Sequence, residues 1–226
     1  MTHDICDGTV TFSSQDSLTH WNDLVRAFMA HSATAPNHLG AVLQAEPDFA
    51  MGWAAKGLFS LMMGRKELIS VAQDAHRSAV AANAGSHRER QWVLALSEWL
   101  AGRPSGAIAA MESALKDNPR DTLSAKISHA IRFILGDGEG MRASVENILG
   151  AHDANHPLRG YLLGCHAFTL EEAGEYARAE ATGLEGLQTA TDDAWGLHAV
   201  AHVYDCLLYT SPSPRDLSTS RMPSSA

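Results

Sequence analysis

The sequence predicts an all-α protein, built as an α-solenoid of helical hairpins, and two observations carry this prediction. The first is a spacing, because a set of five positions beginning at Gly102 recurs 34 residues later at Gly136 and another 38 residues on at Gly174. The second is periodicity, because apolar residues follow a helical and not an alternating pattern, with glycines in turns or at close crossings. The three recurring sets are Gly102, Ala107, Met111, Leu115 and Pro119; Gly136, Met141, Val145, Leu149 and Asp153; and Gly174, Ala179, Gly183, Leu187 and Thr191.

A unit of about 34 residues, with a turn glycine after its first helix and small or apolar residues through its second, is typical of tetratricopeptide-like hairpins. Such chains form their core between neighbouring units. With 226 residues, 45% of them apolar, the chain is long enough to bury a sizeable core in this way. The function that this architecture favours is holding a partner.

The chain is expected to begin with an extended lead-in over residues 1–15, followed by a repeat domain over residues 16–205 that is truncated in its last repeat. The first hairpin is predicted over 17–44, with a turn around 34–37 where Pro36 blocks continuation of the helix. The second is predicted from Ala50, with its partner helix over 66–83.

The clearest hairpins follow, over 88–121, 122–155 and 160–193, with a truncated unit from Ala194. Residues 156–159 form a four-residue insertion between the second and third of these. In the third, Gly174 is expected to allow the left-handed turn between the helices, because glycine adopts that conformation at little cost.

Residues 206–226 depart from this pattern. Pro212, Pro214 and Pro223 lie among serines and threonines there, and they interrupt any helical stripe. The segment resembles translated adapter sequence, so it is excluded from the fold prediction as non-native and disordered. The alternative is a natural disordered tail.

The charge balance bears on partners and location. With 17 basic and 26 acidic side chains, the net charge of −9 would be repelled by phosphate backbones and anionic headgroups, so neither nucleic acid nor a membrane surface is an expected partner. The acidic start lacks the features of a secretory signal, and no apolar stretch approaches the length of a membrane span. A soluble cytoplasmic protein with reduced thiols at Cys6, Cys165 and Cys206 is expected.

Six stretches together resemble one family. They are TFSSQDSLTHWNDLV, EPDFAMGWAAKGL, RERQWVLAL, NPRDTLSAKISHAIRFILGDGEGMRASV, AFTLEEAGEYARAEATGLEGL and DAWGLHAVAHVYD, and they are distributed over nearly the whole range of residues 9–205. The family that they resemble is the tetratricopeptide repeat protein 38 family. The resemblance implies an all-helical repeat fold, a cytosolic location and no established catalytic residues, and it indicates that this chain corresponds to an N-terminal half.

The hairpin register predicts a binding groove. The second, fifth, ninth and twelfth residues of each first helix are expected to face the concave side of the solenoid. The candidate groove residues are Trp92, Trp99, Lys126, Phe133, Tyr161, Phe168, Glu171 and Trp195. An aromatic surface with few charges suits a protein, a peptide or a small apolar ligand. The alternative is that this face packs against a C-terminal half.

A second candidate site is the set His198, His202 and Asp205. Histidines four residues apart share one face of a helix, where two imidazoles and a carboxylate can hold zinc if a fourth ligand is supplied. Ala199 stands where a zinc-peptidase helix carries its general base, so no catalytic residue is assigned. A metal-dependent hydrolase completed by a later segment is the alternative function. The other interpretation is that both histidines are partly buried polar groups paired with their neighbours.

Overall fold

A computed structural model describes residues 2–12 and 14–210 of the chain, with side chains up to Leu207. In this part of the chain there are eleven α-helices, one short 3-10 turn and one two-stranded sheet. The predicted all-α class is therefore confirmed. The helices are α1 (Gln15–Met29), α2 (Ala35–Ala45), α3 (Ala50–Met62), α4 (Ile69–Ala81), α5 (His87–Leu100), α6 (Pro104–Asp117), α7 (Thr122–Leu135), α8 (Gly138–Leu149), α9 (Arg159–Glu172), α10 (Tyr176–Thr189) and α11 (Ala194–Thr210).

The helices contact one another in sequence order. Five antiparallel hairpins form from α1 to α10, and the second helix of each hairpin contacts the first helix of the next. Helix α1 also contacts α7, so the first hairpin lies near the fourth. This approach leaves a space between the two ends of the described chain. Among the described residues, no helix combines the length and apolar character that a membrane span requires.

The ends of several helices follow from local chemistry. The side chains of Ser86, Asp121 and Asp137 accept hydrogen bonds from backbone amides in the first turns of α5, α7 and α8. At the other end of the first helices, the recurring glycines Gly136 and Gly174 take φ angles of 70° and 75°. Residues with a side chain rarely adopt this left-handed backbone conformation, which explains why glycine recurs at this position.

The lead-in is folded as a β-hairpin. Strand β1 (Thr2–His3) pairs antiparallel with β2 (Thr9–Val10), whereas the sequence indicated only an extended segment. The Asp4 carboxylate closes the turn by accepting from the backbone amides of Cys6 and Gly8, at 2.9 and 3.0 Å. This is a side-chain turn of the kind that aspartate commonly makes.

A buried ion pair network fixes the lead-in to the helices. The Arg88 guanidinium donates to Asp4 through Nη1 at 2.6 Å and to Asp121 through Nε and Nη2 at 2.6 and 2.7 Å. The indole of Trp21 donates to the same Asp4 carboxylate at 2.8 Å. Both carboxylates and the guanidinium are buried, so the lead-in is an integral part of the folded unit.

Two boundaries differ from those expected. Pro36 does not end a helix but lies in the first turn of α2, where a missing amide donor costs nothing. Helix α11 continues to Thr210, five residues beyond the expected end of the repeat domain at Asp205. The rest of the expected tail, residues 211–226, lies outside the described residues.

Candidate functional site

A partly enclosed cavity of about 940 Å³ lies between the helices at the two ends of the described chain. Its volume is near the upper end of the range for small-molecule sites. One wall comes from α1, α2 and α3, and the other from α7 and α11. The lining residues are Ala27, Phe28, His31, Ser32, Ala33, Ala35, Pro36, Leu39, Gly40, Leu43, Lys56, Phe59, Ser60, Met62, Met63, Leu68, Lys126, His129, Ala130, Phe133, Ile134 and Trp195.

The walls of the cavity are mainly apolar. The rings of Phe28 and Phe59 stack with centroids 4.2 Å apart and planes 7° from parallel. Opposite them, Phe133 lies edge-on to Trp195 at 5.5 Å and remains half exposed. Covering such surface with an apolar molecule is favourable by roughly 25 cal/mol for each Å² removed from water. The cavity therefore favours an apolar occupant.

Lys126 is a buried cation in the opposite wall. Only 4% of the residue is exposed, and its Nζ lies 4.9 Å from the Trp195 ring centroid and 3.6 Å from Cys165 Sγ. Among the described residues it forms no ion pair, since these two contacts are a ring and a thiol. The charge of Lys126 also acts on Asp193. Burial raises the pKa of the Asp193 carboxyl, and the positive charge of Lys126 opposes part of that rise.

His129 lies one helical turn from Lys126 and is 2% exposed. Neither Nδ1 nor Nε2 has a hydrogen-bond partner among the described residues. Burial, reinforced by the Lys126 charge, lowers the pKa of His129 to about 3, so its imidazole is neutral at pH 7. A neutral imidazole offers one N–H donor and one acceptor nitrogen.

Trp195 and His31 complete this part of the cavity. The Trp195 Nε1–H is buried and also has no acceptor among the described residues. The His31 ring stacks on the Trp195 ring, with centroids 5.8 Å apart, although the two residues come from opposite ends of the described chain. Burial of the ring, and then the charge of Lys126, lower the pKa of His31.

The cavity has the opposite charge to the whole chain. Its described lining contains Lys56 and Lys126 and no aspartate or glutamate, whereas the chain as a whole carries −9. The two lysines differ in position: the Lys56 ammonium lies over the Trp53 ring at 5.2 Å, and Trp53 is not part of the lining. Lys126 is therefore the cation held against the inner wall.

Three of the eight candidate groove residues line the cavity: Lys126, Phe133 and Trp195. Of the two candidates on α5, Trp92 is fully buried and donates to Ser124 Oγ at 2.8 Å, and Trp99 packs against the main core. Neither faces the cavity.

The three candidates on α9 are also outside the lining. Tyr161 donates to Asp192 Oδ1 at 2.7 Å, Phe168 packs beneath the Trp195 ring at 4.6 Å, and Glu171 is buried with Oε2 lacking a described partner. The physical reason is that α9 is covered by α7, α8, α10 and α11, and its residues 160–171 are buried throughout.

The candidate metal ligands lie on α11, outside the cavity lining. His198 and His202 are both exposed, with ring centroids 4.3 Å apart, and Asp205 is exposed one turn further along. His202 Nδ1 is 3.9 Å from Glu171 Oε1. Within the described residues no group of three or more histidine, cysteine, aspartate or glutamate side chains is placed to hold a metal ion.

Sequence reasoning missed His129, His31 and the wall formed by α1, α2 and α3. A signal for His129 was present, because a spacing of three places it on the same face of α7 as Lys126. No comparable signal exists for His31. Its position depends on the first hairpin lying against α7 and α11, which is a long-range property of the fold.

No family model and no solved structure matches the chain. The fold and the site describe an all-helical protein with a partly enclosed, mainly apolar cavity that has the buried Lys126 in its wall.

Proposed function

We propose that this protein is a binding protein that holds a small apolar ligand in the cavity between its first hairpin and helices α7 and α11. The cavity is the observation that carries the proposal, because it leaves stacked and half-exposed aromatic rings uncovered over a volume suited to a small molecule. The repeat architecture is part of the proposal. Packing of the helices in sequence order and the left-handed glycines after first helices support a solenoid of tetratricopeptide-like hairpins, as in the tetratricopeptide repeat protein 38 family.

A small molecule suits this site better than a peptide or a protein segment. An extended peptide carries a donor and an acceptor at each residue, and burying them unpaired is costly. The described lining offers few polar side chains, namely His31, Ser32, Lys56, Ser60, Lys126, His129 and Trp195 through its indole N–H. A protein or peptide partner would find too few hydrogen-bonding groups here. The cytosolic location that the composition favours is retained as part of this proposal.

The described residues around His198 and His202 do not favour a metal-dependent hydrolase. His198 and His202 have the spacing of a metal pair, but the described residues add no third ligand in the required position. No specific observation favours it over binding.

The test uses N-phenyl-1-naphthylamine, a neutral dye whose fluorescence rises in apolar surroundings. We expect saturable binding of one dye per chain, lost in Ala130→Trp, because Ala130 lines the cavity and the indole would fill it. The matched control is Ala109→Trp, which places the same ring at an exposed position on α6. Absence of saturable binding would contradict the proposal, as would full binding by an Ala130→Trp protein with native circular dichroism.

A further inference from the structure

Three polar groups meet in the inner wall of the cavity, and we call Lys126, His129 and Trp195 the donor cluster. Lys126 Nζ lies 4.9 Å from the Trp195 ring, and the His129 and Trp195 rings meet edge to face at 6.0 Å. All three residues line the cavity. Both ring nitrogens of His129 and the Trp195 Nε1–H lack hydrogen-bond partners among the described residues.

We propose that the ligand is an apolar molecule with a single carboxylate, bound with the carboxylate at the donor cluster and the apolar part against α1, α2 and α3. This inference rests on the proposed function and specifies the chemical class of its ligand.

The charge of Lys126 supports an anion. A buried ammonium without a counterion is unfavourable, and the described residues supply no ion pair partner. Asp193 interacts electrostatically with Lys126 but forms no ion pair with it, and its Oδ1 accepts from the Trp195 backbone amide at 3.1 Å at the start of α11. A ligand carboxylate would supply the ion pair that the described residues do not give Lys126.

The donor character of the cluster supports a carboxylate over other polar groups. Lysine and the indole N–H can only donate, and a neutral imidazole donates through one nitrogen. A carboxylate has two oxygens that accept several hydrogen bonds and carries the single negative charge that one lysine balances. An alcohol offers one oxygen and no charge, and an organic cation would be repelled.

The side chains of the opposite wall favour a ligand that is apolar apart from its carboxylate. The stacked rings of Phe28 and Phe59 and the side chains of Leu39 and Met62 face the cavity there. The described lining contains no acidic residue that would pair with a cationic group on the ligand. The buried lysine and the unpartnered buried ring nitrogens of the site therefore lie together in the wall formed by α7 and α11.

The test compares three ligands with the same ten-carbon chain by isothermal titration: decanoate and decyltrimethylammonium below their micelle concentrations, and 1-decanol below its solubility limit. We expect the wild-type protein to bind decanoate about tenfold or more tightly than 1-decanol, and the cation most weakly. In Lys126→Met the preference for decanoate over 1-decanol should disappear while 1-decanol still binds. The matched control is Lys56→Met, which should keep the preference because that ammonium lies over Trp53.

Equal binding of decanoate and 1-decanol would overturn the carboxylate inference and leave the proposed function standing. Unchanged preference in Lys126→Met would also overturn it. If no ten-carbon ligand binds and the neutral dye also fails, the proposed function itself is contradicted. The comparison within the wild-type protein needs no variant, so it decides the matter even if Lys126→Met does not fold.

Discussion

The ammonium nitrogen of Lys126 lies 4.9 Å from the centre of the Trp195 ring, which joins α7 to α11 across the inner wall of the cavity. A cation over an indole face is stabilised by roughly 0.5 to 2 kcal/mol, with the larger values at desolvated sites. The contact holds the charge at the wall without neutralising it. Burial with a ring and a thiol as its described partners is unusual for lysine, and it distinguishes this site from an ordinary helix packing contact.

The first prediction concerns the unpaired imidazole of His129. Leaving buried polar atoms unpaired costs about 1 to 3 kcal/mol, so His129→Phe should raise the free energy of unfolding by about 1 kcal/mol in urea titrations. The same variant should bind decanoate more weakly, because it removes a donor from the donor cluster. A stabilised protein with a weaker site is the pattern expected of a residue kept for binding.

The matched control for this prediction is His152→Phe. His152 is also buried, but its nitrogens are paired with Thr122 Oγ1 at 2.8 Å and the Ile148 carbonyl at 3.1 Å. Its replacement should lower the free energy of unfolding by about 1 to 3 kcal/mol, since it leaves a buried hydroxyl without this partner. Equal losses in the two variants would contradict the assignment of His129.

The second prediction concerns pH. Burial, its largest cause, lowers the pKa of His129 from 6.5 to about 3 in the folded protein. Below pH 6.5 the unfolded chain therefore binds a proton that the folded chain does not, and stability falls as the pH falls towards 3. One such group contributes up to about 1.4 kcal/mol per pH unit. The difference in unfolding free energy between wild type and His129→Phe should widen with this slope between pH 6 and about 4, and a constant difference would refute the shift.

The third prediction concerns the buried network around Arg88. Arg88→Met leaves the carboxylates of Asp4 and Asp121 buried without their cation, so it should lower the free energy of unfolding by about 3 to 5 kcal/mol. Arg103→Met is the control, because its pair with Glu98 lies at the surface and should leave chemical denaturation unchanged. Similar stability of the two variants would show that the lead-in is not anchored through Arg88.

The fourth prediction concerns zinc. Because the described residues bring no third ligand to His198 and His202, added zinc should leave the melting temperature unchanged, and His198→Ala and His202→Ala should match the wild type in this assay. Both histidines are exposed, so each alanine variant should keep its stability within about 0.5 kcal/mol. Tight one-to-one zinc binding that either substitution abolishes would contradict this prediction and would favour a metal-dependent hydrolase.

The fold was predictable where local chemistry decides it. Gly136 and Gly174 mark helix ends because a left-handed residue is needed there, and that requirement is visible in the spacing. The β-hairpin of the lead-in was not foreseen, because it depends on Asp4 serving both the turn and Arg88, which lies 84 residues away.

The site was predictable only in part. The helical register predicts the faces of α7 and α11 that line the cavity, and so it predicts Lys126, Phe133 and Trp195 as lining residues. Register alone does not reveal how many neighbours cover a helix, so it could not show that α9 is buried on all sides. It also could not place His31 against Trp195, because that contact depends on how all the helices between the two residues pack on one another.

The most direct test of ligand binding in the cavity is an isotope-filtered NMR experiment on the labelled protein with unlabelled decanoate. We predict nuclear Overhauser effects from the acyl chain to the rings of Phe28 and Phe59, and shifts of the Trp195 indole N–H on titration. The absence of contacts to these rings, with effects confined to exposed apolar residues such as Leu94 and Leu184, would contradict ligand binding in the cavity.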